Sequence, residues 1–429
     1  MSVASLASPA APPLRQDAAI IGLVGVAHSV SHFSQLLLAP LFPWLKDEFN
    51  VSYTQLGLLL TIFFVTSTAV QAASGFVVDR FGPRPVLLLG LSLLGLAALG
   101  YANSHSYAML AASAVLAGIG NGVFHPVDYT LLNRKVHKSR LGHAYSAHGI
   151  TGTLGWALAP ALMVPVALAS GWRVAMLGAA GLAFAVLALL WWQRERLALD
   201  TDASLSVAVA ATPGAAAAAA APAALPAAEG PFDFLRLPAV WMCLLFFLFY
   251  AFALSVVQSF APEAARQLHA VPVHLVAACL SIYMVCSATG MVLGGFLAAD
   301  PARCERVVGI GMGLAACIAL SVALLPIAPA MVPVMFGLMG AVSGSAGPSR
   351  DMLVKRATPD NASGRVFGVV YSGLDIGQAI APLVFGRLMD LHQYRSVWLG
   401  LALVQLVLIV SAFKVRRVRR TVQPALVPG

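Results

Sequence analysis

The chain has 429 residues, of which 59% are hydrophobic and 10% are charged, and its mean hydropathy is +0.85. This composition is too apolar for a soluble globular protein of that length and predicts an all-α integral membrane protein. The formal net charge of +9 comes from basic residues that lie mostly between apolar segments. The charge therefore indicates membrane topology and excludes a nucleic-acid partner.

Twelve apolar runs are long enough to cross a bilayer, which takes about 20 residues per helix. In chain order they lie at 19–43, 55–78, 85–102, 107–132, 143–169, 173–193, 239–261, 273–299, 307–327, 330–353, 366–389 and 396–413. An Ala- and Pro-rich tract at 203–230 separates the first six runs from the last six. Such a biased tract is typical of a linker, and we expect no chemistry in it.

The runs and the tract predict five segments along the chain. They are a cytoplasmic tail (1–17), a six-helix bundle (18–193), a cytoplasmic linker (194–238), a second six-helix bundle (239–413) and a basic cytoplasmic tail (414–429). With both termini in the cytoplasm, 20 of the 26 basic residues lie on that side, 5 lie on the other side and Arg350 lies inside a helix. This bias predicts a multi-pass protein of a bacterial-type inner membrane, and we expect a monomer surrounded by lipid.

The two halves repeat one pattern of glycine and proline. Several Gly and Pro positions recur 222 residues later, as in Gly118 with Gly340, Gly122 with Gly344, Gly155 with Gly377 and Pro160 with Pro382. Two membrane-embedded repeats are typical of transporters whose halves rock about a central site. The repeat therefore predicts both the architecture and a transport function.

The loop between the second and third runs carries a family motif. It reads Gly75-Phe-Val-Val-Asp79-Arg80-Phe-Gly82-Pro-Arg84 and resembles the G-x-x-x-D-R-x-G-x-R loop of the major facilitator superfamily. In that family the Asp and Arg of the loop contact the other half and latch one conformation. The resemblance implies the major facilitator fold, with twelve transmembrane helices in two pseudo-symmetric six-helix bundles, and a gating role for this loop.

Within that superfamily, roughly the first 160 residues resemble fosmidomycin-resistance-type efflux proteins. The resemblance is carried by Ser-His28 and by Gly122-Val-Phe124-His125-Pro126. It departs after the first-helix His, where that family usually has Asn-Asp and this chain has Ser31-His32. It departs again after Phe-His-Pro, where the family tends to place Glu. The resemblance implies efflux and leaves the substrate open.

Polar side chains within the apolar runs are the candidates for the transport site. An ionisable group in the hydrocarbon core is costly and usually faces the bundle interior or a wet cavity. In the first run, helical periodicity places three of them on one face: His28, His32 and Gln35. The later runs contribute His125, Asp128, His148, Tyr250, Gln258, Arg350, Tyr371, Asp375 and Gln378. We predict that these substrate- and proton-binding residues converge on one central cavity.

Asp128 and Arg350 occupy equivalent places in the two halves, because their numbers also differ by 222. We hypothesise that they pair across the cavity, or bridge through substrate, in one conformation. Protonation of Asp128 or binding of an anion would release the contact. An unpaired buried charge costs several kcal/mol, which is comparable to the free-energy gap between two transporter conformations.

Three classes of function remain open at this point. A proton-coupled secondary transporter of a small anionic or polar organic solute, with efflux favoured, explains the repeat, the loop and the buried titratable groups together. Uptake of an organic acid is the alternative, and a divalent metal-ion transporter is a further one, because imidazole and carboxylate suit first-row metals. An enzyme is not expected, since H-E-x-x-H and G-x-S-x-G motifs are absent from the sequence. We expect no cofactor and no resident metal; the expected partners are the solute, protons and the lipid bilayer.

Overall fold

The computed structural model describes residues 13–199, 238–297, 303–357 and 363–422, and these residues are helical with no strand. The helices of the first half are α1 (Leu14–Gln35), α2 (Phe42–Phe49), α3 (Tyr53–Phe81), α4 (Pro83–Ala102), α5 (Tyr107–Asn121), α6 (Phe124–Lys135), α7 (Leu141–Ser170), α8 (Trp172–Trp192) and α9 (Arg194–Leu197). Those of the second half are α10 (Pro238–Ser259), α11 (Ala261–His269), α12 (Val273–Leu297), α13 (Cys304–Leu324), α14 (Val332–Ala357), α15 (Ser363–Asp390) and α16 (Tyr394–Val422). Most of the predicted linker lies outside the described residues.

Ten helical stretches among the described residues are long and apolar enough to cross a membrane. They correspond to α1 with α2, to α3, α4, α5 with α6, α7 and α8, and to α10, α12, α13 and α14. Two further helices, α15 and α16, complete the twelve, and α16 begins with a shorter apolar part, Tyr394–Val410. The predicted twelve-helix fold is confirmed.

The first helix is shorter than the predicted run of 19–43, because α1 ends at Gln35. Pro40 and Pro43 follow it, and proline lacks the N–H that a continuing helix needs, so the chain turns into the short helix α2. The second half repeats this pattern, since α10 is followed by the short helix α11. Both short helices end at a non-glycine residue with left-handed backbone, Asn50 with φ 48° and Ala270 with φ 52°.

The fourth predicted helix is interrupted in its middle. α5 ends at Asn121 and α6 begins at Phe124. The interruption precedes Pro126, which cannot donate a backbone hydrogen bond to the carbonyl of Gly122 four residues earlier. The Ser74 hydroxyl of α3 lies 3.4 Å from that carbonyl, but its single proton is nearer to the Gln71 carbonyl of its own helix, at 2.9 Å. The neighbouring helix therefore offers the freed carbonyl only a long, shared contact.

Glycines bring helices of the same half into backbone contact. A Cβ added at Gly118 of α5 would lie 2.6 Å from the carbonyl oxygen of Phe63 in α3. The equivalent position of the second half, Gly340, would place it 2.2 Å from the carbonyl oxygen of Tyr283. Small residues at such crossings let membrane helices approach closely. The repeated glycines are therefore packing positions in both halves.

The two halves contact each other along α3 and α7. α3 packs against α15, and α7 packs against α12. Near the start of α3, the Thr61 hydroxyl donates to the carbonyl of Ala379 at 2.6 Å, and a Cβ on Gly57 would lie 2.5 Å from the carbonyl oxygen of Pro382. The described contacts between α3 and the second half run from Tyr53, whose backbone N–H donates to Asp390, to Gln71, which lies 3.5 Å from Asp375.

Candidate functional site

Asp128 of α6 lies between two histidines of neighbouring helices. Its Oδ2 atom is 3.0 Å from Nδ1 of His28 on α1 and 3.1 Å from Nε2 of His148 on α7. All three side chains are buried. Because a buried carboxylate requires compensating partners, these two imidazoles account for the position of Asp128 inside the first half.

Two more histidines adjoin this group. The ring centroid of His32 lies 4.3 Å from that of His28, and the ring centroid of His125 lies 5.3 Å from it. His148 stacks on His28 at 3.6 Å. We call these four histidines and Asp128 the imidazole–carboxylate cluster. The sequence placed His28 and His32 on one face of α1, and the structure brings both to the same cluster.

The cluster depends on the close approach of α7 to α1. A Cβ at Gly155 would lie 2.3 Å from the carbonyl oxygen of Ser29, and one at Gly152 would lie 2.7 Å from Cε1 of His32. Any larger residue at Gly152 would occupy the space of the His32 ring. The two glycines thus position α1 and leave room for its imidazoles.

Gln35, the third predicted residue on α1, belongs to a neutral hydrogen-bond network. Its Oε1 accepts from the Trp156 indole at 2.9 Å, and its Nε2 lies 3.4 Å from Oδ1 of Asn121. The same Asn121 oxygen accepts from the Ser31 hydroxyl at 2.7 Å, and its amide donates to Ser67 at 2.9 Å. The network ties α1, α3, α5 and α7 together beside the cluster.

Side-chain contacts through Gln71 link the cluster to the other half. Gln71 of α3 lies 3.0 Å, through Oε1, from Nδ1 of His125. Its Nε2 lies 3.5 Å from Oδ2 of Asp375 on α15, at the limit of a hydrogen bond. Asp375 is therefore a predicted site residue of the second half that the structure connects, through Gln71, to a histidine of the first.

The remaining predicted residues of the second half lie on α10, α14 and α15. The Arg350 guanidinium carbon is 4.1 Å from the centroid of the Tyr250 ring and 5.5 Å from that of Phe247, within the range of cation–π attraction. Nε2 of Gln378 donates to Oε1 of Gln258 at 3.3 Å. The side chain of Tyr371 lies outside the described part of the structure.

Tyr250 also lines a small cavity inside the second half. The cavity has a volume of ≈ 10 Å³ and is also lined by Tyr283, Ser343 and Gln405. That volume holds about one water molecule. A solute would therefore need space between the halves rather than within this one.

The hypothesised pair of Asp128 and Arg350 is not formed in this conformation. Asp128 pairs with histidines of its own half, while Arg350 lies on aromatic rings of its own half. The numbering equivalence of the two residues therefore does not make them contact each other here. Their pairing stays a prediction for another conformation.

The gating motif lies at the end of α3 opposite to Tyr53. Asp79 and Arg80 are exposed, and no ion pair joins either of them to another described residue. Gly82 has φ +82°, a backbone conformation that favours glycine, and it ends α3 before Pro83 begins α4. The loop latch implied by the resemblance stays a prediction.

Sequence reasoning missed several polar residues that the structure places at the site. Gln71 and Asn121 lie in apolar helices and were not among the predicted site residues, although three other glutamines were. Asp390 lies one position beyond the predicted run of 366–389 and accepts hydrogen bonds from the backbone of the other half. A search for every amide and carboxylate within the runs and at their ends could have found all three.

A membrane protein of two repeated helical halves, in contact with each other and holding polar side chains between them, belongs to the class of membrane transporters. The family model described as the Major Facilitator Superfamily matches residues 24–338 and 243–428 of the chain. The chain is therefore a member of the major facilitator superfamily. It is a transporter and not an enzyme, and the predicted family is confirmed.

Curated relatives match part of the chain. The fosmidomycin resistance protein of Escherichia coli K12 is 29% identical over 178 residues, which cover 41% of this chain and 41% of that protein. A protein of Cupriavidus necator named "Probable sulfoacetate transporter" is 25% identical over 170 residues, which cover 39% of this chain and 40% of that protein. The matches thus span about two fifths of each relative's length.

A solved structure shares the fold over nearly the whole chain. It is a bacterial homolog of the human lysosomal transporter Spinster, described as inward-facing and occupied. The TM-score is 0.74 at 14% sequence identity, with 95% of this chain and 98% of that chain covered. At this identity the likeness concerns the fold alone.

Proposed function

We propose that this protein is a proton-coupled secondary transporter that exports a small organic anion across the inner membrane by alternating access. The observation that carries the proposal is the arrangement of its two halves. They contact each other along α3 from Tyr53 to Gln71, and polar groups of both halves, Gln71 and Asp375, meet at this interface. A central site reached from one side at a time is what alternating access requires.

An anionic substrate is supported by Arg350. Aromatic faces of Tyr250 and Phe247 hold its planar guanidinium, and such a group presents paired donors that match a carboxylate, sulfonate or phosphonate. The relative named for sulfoacetate is named for an organic anion. We therefore place the anion against Arg350, with the other predicted site residues around it.

Proton coupling is proposed at Asp375, which contacts the other half through the neutral Gln71. No described residue forms an ion pair with Asp375. Of the helices that pack against α15, α10 contains no charged residue, and the charged residues of α3 and α16 are confined to their end regions: Asp79, Arg80, Arg395 and the basic run from Lys414. A carboxylate with an amide partner can accept a proton without leaving a cation unpaired, which suits it for a proton site.

The proposal is tested with purified protein in liposomes loaded with radiolabelled sulfoacetate. We expect an inward-directed proton gradient to accelerate efflux. Asp375→Asn should lose this acceleration while it retains exchange of labelled for unlabelled solute, because exchange needs no net proton movement. The matched control is Asp47→Asn, an exposed carboxylate outside the site, which should behave as the wild type.

Two results would refute coupling at Asp375. One is a wild-type efflux rate that does not change with the proton gradient. The other is an Asp375→Asn variant whose efflux is accelerated by the gradient as much as that of the wild type. Exchange by the variant also shows that it has folded. Loss of exchange in Arg350→Lys, which keeps the charge but removes the planar fork, is the expected sign of anion binding at that residue.

Uptake of an organic acid is the second candidate, since Arg350 on its aromatic faces would bind such an anion in either direction of transport. Export and uptake use the same site and differ in which gradient drives net movement. Liposomes loaded with buffer and given external sulfoacetate with an inward-directed proton gradient distinguish them. Accumulation of solute inside would identify uptake, and net depletion of preloaded solute would identify export.

A further inference from the structure

We propose that the imidazole–carboxylate cluster binds one divalent first-row transition-metal ion inside the first half. The proposed ligands are Nδ1 of His28, Oδ2 of Asp128 and Nε2 of His148, with His32 as the fourth. Imidazole and carboxylate together are the ligand set that Zn²⁺ and its first-row neighbours take in proteins. The site lies within one half and is separate from the proposed anion position at Arg350.

The spacing of the ligand atoms fits an ion. Two ligand atoms bound tetrahedrally at about 2.0–2.1 Å from a metal lie about 3.3 Å apart. Oδ2 of Asp128 lies 3.0 Å from Nδ1 of His28 and 3.1 Å from Nε2 of His148. The ligand atoms of these three residues all lie within 4.8 Å of one another. Shifts of a few tenths of an ångström would complete the triad.

Buried polar atoms without partners point to the same ligand. Nδ1 of His28, both ring nitrogens of His32 and Oδ1 of Asp128 are buried and accept or donate no hydrogen bond in the described structure. Nδ1 of His28 is close to the carboxylate but lacks hydrogen-bond geometry with it. Since buried polar groups are normally satisfied, a cation that coordinates these atoms explains several of them at once.

His32 is proposed as the fourth ligand in preference to His125. Neither nitrogen of His32 has a partner among the described residues, whereas Nδ1 of His125 lies 3.0 Å from the Gln71 amide oxygen. His28, His32 and His125 form a second group whose ligand atoms lie within 4.8 Å of one another, so His32 adjoins the triad at His28. The ion would then join α1, α6 and α7, which supply all four ligands.

The ion is inferred to be resident and not transported. A transported ion must be bound more tightly in one conformation than in the other, and only differential contacts can provide that. All four ligands belong to the first half, so rocking of the halves leaves their mutual distances unchanged. The site therefore has no means to release the ion on the opposite side of the membrane.

The test uses the full chain, purified in detergent with a tag free of histidine and stripped of metal by a chelator. CoCl₂ is titrated while visible absorption is recorded, because Co²⁺ in a low-symmetry nitrogen and oxygen site gains d–d bands. ZnCl₂ competition then gives the affinity for zinc. We expect one ion per chain, and at least a 100-fold weaker affinity in His148→Gln and in Asp128→Asn.

His143→Gln is the matched control, because His143 is an exposed histidine on the same helix as His148. It should bind as the wild type, and all variants are compared only after gel filtration and far-UV circular dichroism show the wild-type profile. Asp128→Asn provides the result if His148→Gln does not fold. Failure of the wild type to bind one ion, or wild-type affinity in both ligand variants, would overturn the site.

Two further outcomes also count against the proposal. Loss of binding in His143→Gln would show that the ion binds at a surface site. A zinc-sensitive dye enclosed in liposomes measures Zn²⁺ entry, and entry faster than in protein-free liposomes would show that the ion is transported. The binding measurement needs no transport. A negative result here therefore leaves the proposed anion transport standing, and a failure of anion transport leaves the metal site standing.

Discussion

Substitution of Asp390 by alanine is expected to weaken the closed end of the bundle. Asp390 is the last residue of α15, one position beyond the predicted run of 366–389. Its carboxylate accepts hydrogen bonds from the backbone N–H of Tyr53 at 2.6 Å and of Thr54 at 2.9 Å, and from the Thr54 hydroxyl at 2.6 Å. A residue of the second half thus caps the start of α3 in the first half.

The size of the effect follows from the capping geometry. Replacing a side chain that caps a helix N-terminus with alanine costs about 1 kcal/mol, and a negative charge at that end adds about 0.3–1 kcal/mol. Ser52 and Gln55 still form a capping box within α3, so the helix itself is retained. We therefore expect the closed state to lose about 2 kcal/mol, a shift of about 30-fold in the ratio of closed to open molecules.

This contact is expected to be insensitive to pH in the neutral range. Burial alone would raise the pKa of the Asp390 carboxyl, but the hydrogen bonds from the Thr54 hydroxyl and from the backbone amides of Thr54 and Tyr53 outweigh it and lower the pKa. A carboxylate with a lowered pKa contributes fully above its ordinary value of 3.8 and loses its contribution only as the pH falls below that. The closed end should therefore hold across the pH range in which the transporter works.

Spin-label distance measurements test this reasoning. Labels at His105 and Gln393, both exposed near the closed end, are introduced in a variant without the five native cysteines. Asp390→Ala should raise the population with the longer distance, and Asp47→Ala, which removes an exposed carboxylate nearby, should not. A distance distribution for Asp390→Ala that matches the wild type would refute the role of the cap, as would an equal shift in the control.

Two further predictions concern packing and charge. Gly57→Ala would place a Cβ 2.5 Å from the carbonyl oxygen of Pro382, so it should favour the open end in the same distance measurement; a wild-type distribution would contradict this. Asp17→Asn removes the charge of a buried carboxylate that accepts a 2.7 Å hydrogen bond from Arg140. It should cost about 1–2 kcal/mol and lower the thermal midpoint, and an unchanged midpoint would show that the pair contributes nothing.

Much of the fold was predictable because membrane helices follow from composition. Apolar runs of sufficient length have one stable structure in lipid, and the repeat indicated that both halves share it. The interruptions were harder to predict. Pro126 was visible in the sequence, but membrane helices tolerate proline when neighbouring groups satisfy the freed carbonyl, so a proline alone does not show where a helix is interrupted.

The candidate site was predictable only in part. Helical periodicity is sufficient to place His28 and His32 on one face, and both are in the cluster. Which helix lies opposite that face depends on three-dimensional packing, so the contacts of Asp128 with His28 and His148 could not be read from spacing. The same limit applies to Arg350, whose aromatic contacts come from α10.

The glycine crossings have a mechanical consequence for the transport cycle. A Cβ at Gly344 would lie 2.1 Å from the carbonyl oxygen of Ser287, so the two main chains are in contact with no side chain between them. No side-chain rotamer can therefore change at this crossing during a movement. Similar crossings occur at Gly122 and Gly377. Each half should consequently move as a rigid body. The conformational change of the transport cycle should therefore occur at the α3–α15 and α7–α12 interfaces.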